Sequence, residues 1–420
     1  MILSQLEERL PALYFASCED NGAVPYITSP PGRGKTSVIK QFPNIMKQTD
    51  PGGNYGLIVL NGACLNIGTM GGYLQFGPLV KGKPTSLFSL PHWWWTKEGK
   101  MMEDYDGGIL FVDEADKMPP DESKTAGEAA YDKVWMTHKL SPGWAVWFAG
   151  NRVQDKAGSN KQFSHLINRQ REIAIRDDTE SWKTWAERAH LLPEVITFGE
   201  AYSQWLFQEM PKDLAPWCTP RTLHQAEIHL KALMRAYNDN KLPTDPTVQE
   251  ELGGGIGPGA AKDLIRHIRE GQDLPTYEQV MAAPKSAPVP VKPDGRRLMA
   301  YRIADRLTKP DVKGAMDYMD RYGDEFQAIF ARMAIHKDYE FVFDPAFGEW
   351  CDKKAHLIAL IERYKNASKH YLSAVKHDLL PPDYWQQYPM GRGYVDGAWY
   401  GNAPHYRILA RDAQHEDERQ

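Results

Sequence analysis

Eight residues, Ser29-Pro-Pro-Gly-Arg-Gly-Lys-Thr36, constrain what this chain can fold into more than any others. They follow the phosphate-cradling pattern G-x-x-x-x-G-K-[ST] except at its first position, where Ser29 replaces glycine. Such a loop works only between a strand and a helix. The stretch 23–28 is short, apolar and partly β-branched and reads as a strand, while 36–42 reads as the first turns of a helix ended by Pro43. In that setting Pro31, Gly32, Arg33, Gly34, Lys35, Thr36 and Ser37 wrap a phosphate chain. The N–H groups from Gly32 to Ser37 point inward, at the positive end of the helix dipole. Lys35 reaches the β- and γ-phosphates of ATP, and the Thr36 hydroxyl ligates Mg2+. Taken alone, the loop could also be a Pro/Gly turn carrying an exposed lysine.

A second motif removes that alternative. Gly107-Gly-Ile-Leu-Phe-Val-Asp-Glu-Ala-Asp116 is an apolar run ending in adjacent carboxylates, the form of a buried parallel strand that delivers acids at its carboxyl end. Asp113 is placed to hold the Mg2+ shell, and Glu114 to polarise the water that attacks the γ-phosphate. The Asp-Glu pair separates hydrolysing motors from P-loop proteins that lack a built-in base. A third apolar run, 144–150, ends at Asn151, whose amide can hydrogen-bond both the water and the γ-phosphate.

The chain resembles the MoxR-type AAA+ ATPases, from its leading helix to about residue 270. The densest likeness is Ala149-Gly-Asn-Arg-Val-Gln-Asp-Lys-Ala-Gly158 followed by His165-Leu-Ile-Asn-Arg169, similar to the family's G-N-R, D-x-A-G and L-x-N-R-F elements. The resemblance implies a P-loop α/β core, its parallel sheet flanked by helices, followed by a helical lid and a helical C-terminal extension. It implies that Asn151 is the sensor 1 residue and that Arg169 is the arginine finger reaching a neighbouring subunit's nucleotide, with Arg171 an alternative two residues on. Cys218-Thr-Pro-Arg-Thr222 is similar to the motif opening the sensor 2 helix, which makes Arg221 a γ-phosphate contact. The same residues read as an ordinary helix start, capped by Thr219 with Pro220 first, and the two descriptions are compatible. Ile256-Gly-Pro-Gly-Ala-Ala261 resembles a small-residue element late in the lid, and equally a glycine loop. In function the likeness implies an ATP- and Mg2+-dependent homo-oligomeric ring, a hexamer by family habit. Such a ring remodels a protein partner, often one with a von Willebrand factor A domain.

Composition agrees. At 420 residues the chain exceeds the ~250 to 300 that one core supports, so two or three domains are expected. Hydrophobic and charged fractions of 42% and 25% are those of a globular protein. A net charge of -5 without a Lys/Arg block argues against a nucleic-acid partner. Cys18, Cys64, Cys218 and Cys351 are too scattered for a zinc motif, and so few of them suit a reducing, cytoplasmic compartment. No apolar run approaches the ~18 residues of a membrane span, and no signal peptide is evident.

The expected organisation is a nucleotide-binding core over 1–177, a lid over 178–282, a Pro-rich stiff connector over 283–294 and an extension over 295–420. Within the core, a leading helix carries Ile2, Leu3, Leu6, Leu10 and Leu13, and a second strand runs over 55–60. By resemblance, the glycine- and aromatic-rich segment 62–106 holds the helix-2 insert hairpin, which in the family protrudes toward the ring axis. The stretch 131–144 holds the pre-sensor 1 hairpin, its turn placed at Pro142-Gly143. Trp93, Trp94 and Trp95 read as core or as a substrate-gripping loop; neighbours on one element cannot all face inward, so at least one is expected to be exposed or at a subunit contact. In the lid, helices over 181–188, 202–210 and 222–237 would bury Trp182, Trp185, Leu206 and Leu230. Helices resume over 296–368, followed by an aromatic-rich tail from Pro381 and a charged, disordered end over 411–420.

Two other functions fit the motifs. A nucleic-acid motor or loader predicts ATPase stimulation by DNA or RNA with steep salt dependence. A non-hydrolysing, nucleotide-switched binding module predicts no phosphate release at all.

Overall fold

The three apolar runs of the sequence become the three central strands of one sheet. The structure, a computed structural model, describes residues 1–50, 52–152, 170–237, 242–338, 341 and 344–358. Two units emerge, Met1–Asp177 and the residues from Asp178 onward.

In the first unit, β1 (Val24–Thr28), β2 (Tyr55–Asn61), β5 (Gly107–Asp113), β8 (Trp144–Gly150) and β9 (Gln170–Ala174) form a wholly parallel sheet in the order β2-β5-β8-β1-β9. Every residue of β1 and β8 is buried, and all of β5 but Asp113. A parallel strand covered on both faces has no solvent side to pattern, hence the unbroken apolar runs. Edge strand β2 instead alternates buried and half-buried positions. Helices α1 (Leu3–Cys18), α2 (Lys35–Ile39), α3 (Phe42–Thr49), α4 (Ile67–Gly71) and α5 (Pro120–Asp132) complete the α/β unit. The Tyr14 hydroxyl of α1 donates to Gly143 O at 2.6 Å, and the Trp147 indole donates to Ser17 Oγ at 2.9 Å, tying α1 to the sheet.

Between β2 and β5 stands an antiparallel hairpin, β3 (Leu74–Val80) and β4 (Lys83–Phe88), with a register shift between Gly77 and Val80. Its turn is Lys81-Gly82, both at positive φ (51° and 74°), which suits the twist of a two-residue hairpin loop. Tyr73, Leu74, Phe76, Leu79, Val80 and Leu87 are exposed, Phe76 at 99%. Of the neighbouring tryptophans, Trp93 and Trp94 are buried, Trp93 edge-on to Trp135 at 5.1 Å, and Trp95 is 38% exposed. Core packing therefore accounts for two of the three.

A second hairpin, β6 (Val134–Trp135) and β7 (His138–Lys139), lies where the pre-sensor 1 hairpin was expected, but its turn is not Pro142-Gly143. Met136, at φ 55°, and Thr137 turn the chain, whereas Pro142-Gly143 makes the following turn into β8, closed by Trp144 N–H on Ser141 O at 3.1 Å.

The second unit is helical. Helix Thr179–Arg188 is N-capped by Asp178, whose carboxylate accepts from Ser181 N–H at 2.7 Å. The expected helix over 202–210 is replaced by Pro193–Ala201, begun by a proline in its first turn, and a short Ser203–Leu206. Trp182, Leu206 and Leu230 are buried as expected, but Trp185 is 37% exposed, lying edge-on to His224. Between Ile256 and Pro258 the chain turns at Gly257 (φ 85°), where a Cβ would come within 2.7 Å of Pro216 O. One apolar core runs from Trp182 to Leu357, so the described residues on the two sides of the Pro-rich stretch pack together. That stretch is bound into the unit: Tyr318 Oη donates to Pro288 O at 2.8 Å, and Arg321 to Ala287 O at 2.6 Å. Among the described residues no helix is long and apolar enough to cross a membrane. Arg169, the segment 155–158 and the aromatic tail from Pro381 lie outside the described residues.

Candidate nucleotide-binding site

The candidate residues of the first unit converge because their strands are neighbours: β1 ends at the loop, β5 ends at Asp113, and β8, between them, ends just before Asn151. The loop from Ser29 to Gly34 turns at Gly32 (φ 76°) and Gly34 (φ 89°), conformations that glycine adopts without strain. Gly34 also lies against α1, where a Cβ would come 3.1 Å from the Leu3 side chain. From Lys35 the chain is helical, and the first N–H groups of any helix lack intrahelical partners and face outward along the axis. Pro31 carries no N–H, so it shapes the loop and donates nothing. Ser37, on α2, is exposed.

Lys35 is buried. Its ammonium donates to Ser29 O at 2.9 Å, Ser29 Oγ at 3.0 Å, Pro30 O at 3.3 Å and Asn151 Oδ1 at 3.3 Å. One side chain thus spans the ends of β1 and β8. Thr36 Oγ1 donates to Asp113 Oδ2 at 2.5 Å, linking α2 to β5. Oxygen donors of this kind suit a small hard cation such as Mg2+. Among the described residues no group of three or more His, Cys, Asp or Glu gathers to hold a metal, so phosphate oxygens and water would have to complete the shell around Thr36 and Asp113.

Glu114 follows directly and sits in the left-handed region (φ 53°, ψ 35°), a costly place for a residue other than glycine. Its N–H donates to Asp113 Oδ1 at 2.9 Å, and its carboxylate pairs with Lys117 at 3.2 Å. The turn carries Glu114 out of the strand direction, leaving its side chain partly exposed at the strand end. Arg33 is buried and ion-paired with Asp177 at 2.9 Å, so its side chain braces the loop against the segment after β9.

One residue escaped the sequence reading. Asp116, buried on the short helical turn Ala115–Lys117, accepts from Asn151 N–H at 3.1 Å and lies 3.5 Å from Asn151 Nδ2. It holds the amide so that Oδ1 faces Lys35. The signal was an acid three residues beyond Asp113, which one turn of helix brings back toward the neighbouring strand end. Arg171 is exposed on β9. Arg221 is exposed in the first turn of helix Pro220–Tyr237 in the second unit, where Thr219 Oγ1 caps Thr222 N–H at 3.1 Å.

No protein-family model matches the chain, and no curated protein does either. Among solved structures, NtrX from Brucella abortus is similar over 79% of this chain and 68% of its own, with 14% identity and a TM-score of 0.35. NtrX in complex with ATP gives 13% identity and 0.33, over 82% and 64%. A Cytophaga hutchinsonii protein provisionally assigned as an ATPase gives 12% identity and 0.28, over 83% and 89%. Likeness at that level shows no activity for this chain.

Proposed function

We propose that this protein is an ATPase of the AAA+ group, resembling the MoxR type, that works as a homo-oligomeric ring and remodels a protein partner. The observation that carries the ATPase reading is the convergence of Lys35, Thr36, Asp113 and Asn151 at the ends of β1, β5 and β8, with Thr36 and Asp113 joined at 2.5 Å. The loop N–H groups and Lys35 bind the phosphate chain. Asn151 orients the attacking water, and Glu114, swinging from Lys117, takes up its proton. Thr36 and Asp113 would hold Mg2+, which would supply charge neutralisation to the phosphates. Arg169 and Arg221 are assigned as trans finger and lid sensor on the family resemblance, as are the hexameric ring, the remodelling role and a partner with a von Willebrand factor A domain.

Phosphate release with Mg2+ and ATP tests this. Glu114→Gln should retain ATP binding and lose turnover by about 10²- to 10⁴-fold, the usual worth of a general base. Lys35→Ala should lose binding itself. Arg169→Ala should bind ATP and hydrolyse poorly, and mixing it with Glu114→Gln chains should restore turnover if the arginine acts across an interface. Wild-type protein that binds ATP without releasing phosphate would leave a nucleotide-switched binding module as the function.

A further inference from the structure

Ser29 occupies the position where the phosphate-loop pattern carries glycine. Its backbone does not need glycine's freedom: among the described residues the non-glycine positions at positive φ are Asn21, Lys81, Glu114, Lys133, Met136, His190 and Leu214, and Ser29 is not one of them. What the serine adds is a hydroxyl. The side chain is fully buried, donates to Pro30 O at 2.9 Å and accepts from Lys35 at 3.0 Å.

An ammonium has three protons to give. Around Lys35 the acceptors include Ser29 O, Ser29 Oγ, Pro30 O and Asn151 Oδ1, more than the protons available. The two backbone carbonyls would be there with any residue at position 29, and the hydroxyl would not. Because the hydroxyl spends its own proton on Pro30 O, its lone pairs are aimed at the ammonium. A phosphate oxygen arriving at Lys35 must take a proton from one of these acceptors. A contact that must be given up when a ligand binds subtracts from the affinity of that ligand.

We propose that the Ser29 hydroxyl is an internal competitor for Lys35, holding the ammonium inside the loop and weakening the site's grip on the β- and γ-phosphates. The proposal rests on the nucleotide-binding reading above and adds a regulation to it: nucleotide occupancy is set lower than the same loop with glycine would give. A site tuned in this way exchanges nucleotide readily.

The test is calorimetric titration of Mg·ATP into the full chain, as wild type, Ser29→Ala and Ser29→Gly, with the ligand-free melting temperature of each. Both variants should bind ATP about three- to tenfold more tightly, a fraction of the full worth of a charge-assisted hydrogen bond because Lys35 keeps its other acceptors. Ser29→Ala should at the same time melt no higher than wild type without ligand. A residue that merely supports the fold would lower affinity and melting temperature together, so opposite signs identify competition. If wild type binds ATP and both folded variants bind it equally or more weakly, the competitor role is wrong while the nucleotide site stands. If none of the three folded proteins binds ATP at millimolar concentration, the nucleotide reading fails and the competitor role falls with it.

Discussion

Both units bury charge, and Lys35 in the first is surrounded differently from the acids of the second. In the helical unit Glu187, only 1% exposed, accepts from Tyr301 Oη at 2.7 Å and pairs with Arg332 at 2.6 Å. Glu194 pairs with Arg302 at 2.7 Å, and Glu227 pairs with Lys231 at 2.5 Å while accepting from Leu192 N–H at 3.2 Å. These acids are matched by cations or donors on other turns and helices, so the networks close on themselves. In the sheet unit the oxygens named around Lys35 are neutral, two carbonyls, a hydroxyl and an amide. A neutral acceptor leaves more of a cation's charge available to an arriving anion than a buried carboxylate does. Lys35 reads as part of a site, and Glu187, Glu194 and Glu227 read as structure.

The contrast can be broken by substitution. The largest effect is expected for Glu187→Ala, which removes the acceptor of Tyr301 Oη and the carboxylate paired with Arg332; about 3 kcal/mol of stability should be lost in urea unfolding, and Lys35→Ala should cost less than about 1 kcal/mol in the same assay. Equal losses would erase the distinction. Next, Asp116→Ala frees the Asn151 amide and should lower ATP turnover about tenfold with ATP affinity changed less than about threefold, because it acts on orientation and not on binding. A purely structural Asp116 would show a lowered melting temperature with unchanged kcat.

A smaller effect separates the units by pH. Burial holds the His267 imidazole, hydrogen-bonded to Thr197 Oγ1 at 2.7 Å, below the usual 6.5. The folded state therefore prefers it neutral. Its stabilising contribution is complete above pH 6.5 and is lost as pH falls from there through the depressed folded value. The midpoint of urea unfolding should fall across that window, and less steeply in His267→Gln. The smallest effect belongs to the sheet unit's own surface: Phe76→Ala, at a fully exposed position, should shift stability by no more than about 0.5 kcal/mol.

Much of the sheet unit could be read from sequence because its information is local. The apolar runs at β1, β5 and β8 are contiguous, and each site residue follows its strand by a few positions. Asp116 was missed because its partner, Asn151, lies 35 residues away and meets it only once β8 has entered beside β5. The turn of the β6–β7 hairpin was misplaced because Pro142-Gly143 carries the stronger turn chemistry while Met136 carries none; strand pairing forces Met136 to positive φ. In the helical unit the apolar spacing over 202–210 suggested one helix, yet the proline in the first turn of Pro193–Ala201 was the better start signal. Nor does the Pro-rich stretch announce in its composition that Tyr318 and Arg321 will accept it into a shared core.

The β3–β4 hairpin has one more consequence, for solubility. A two-stranded ribbon has two open edges, and one this apolar would ordinarily zip to its own copies through the backbone. Here Pro78 and Pro84 each delete an N–H within a strand, the register breaks between Gly77 and Val80, and Lys81 and Lys83 put charge at the tip. Side chains such as Phe76 remain free to touch another surface, while the main chain beneath them is a poor template for sheet growth. The molecule can display a greasy finger in concentrated solution without seeding fibres.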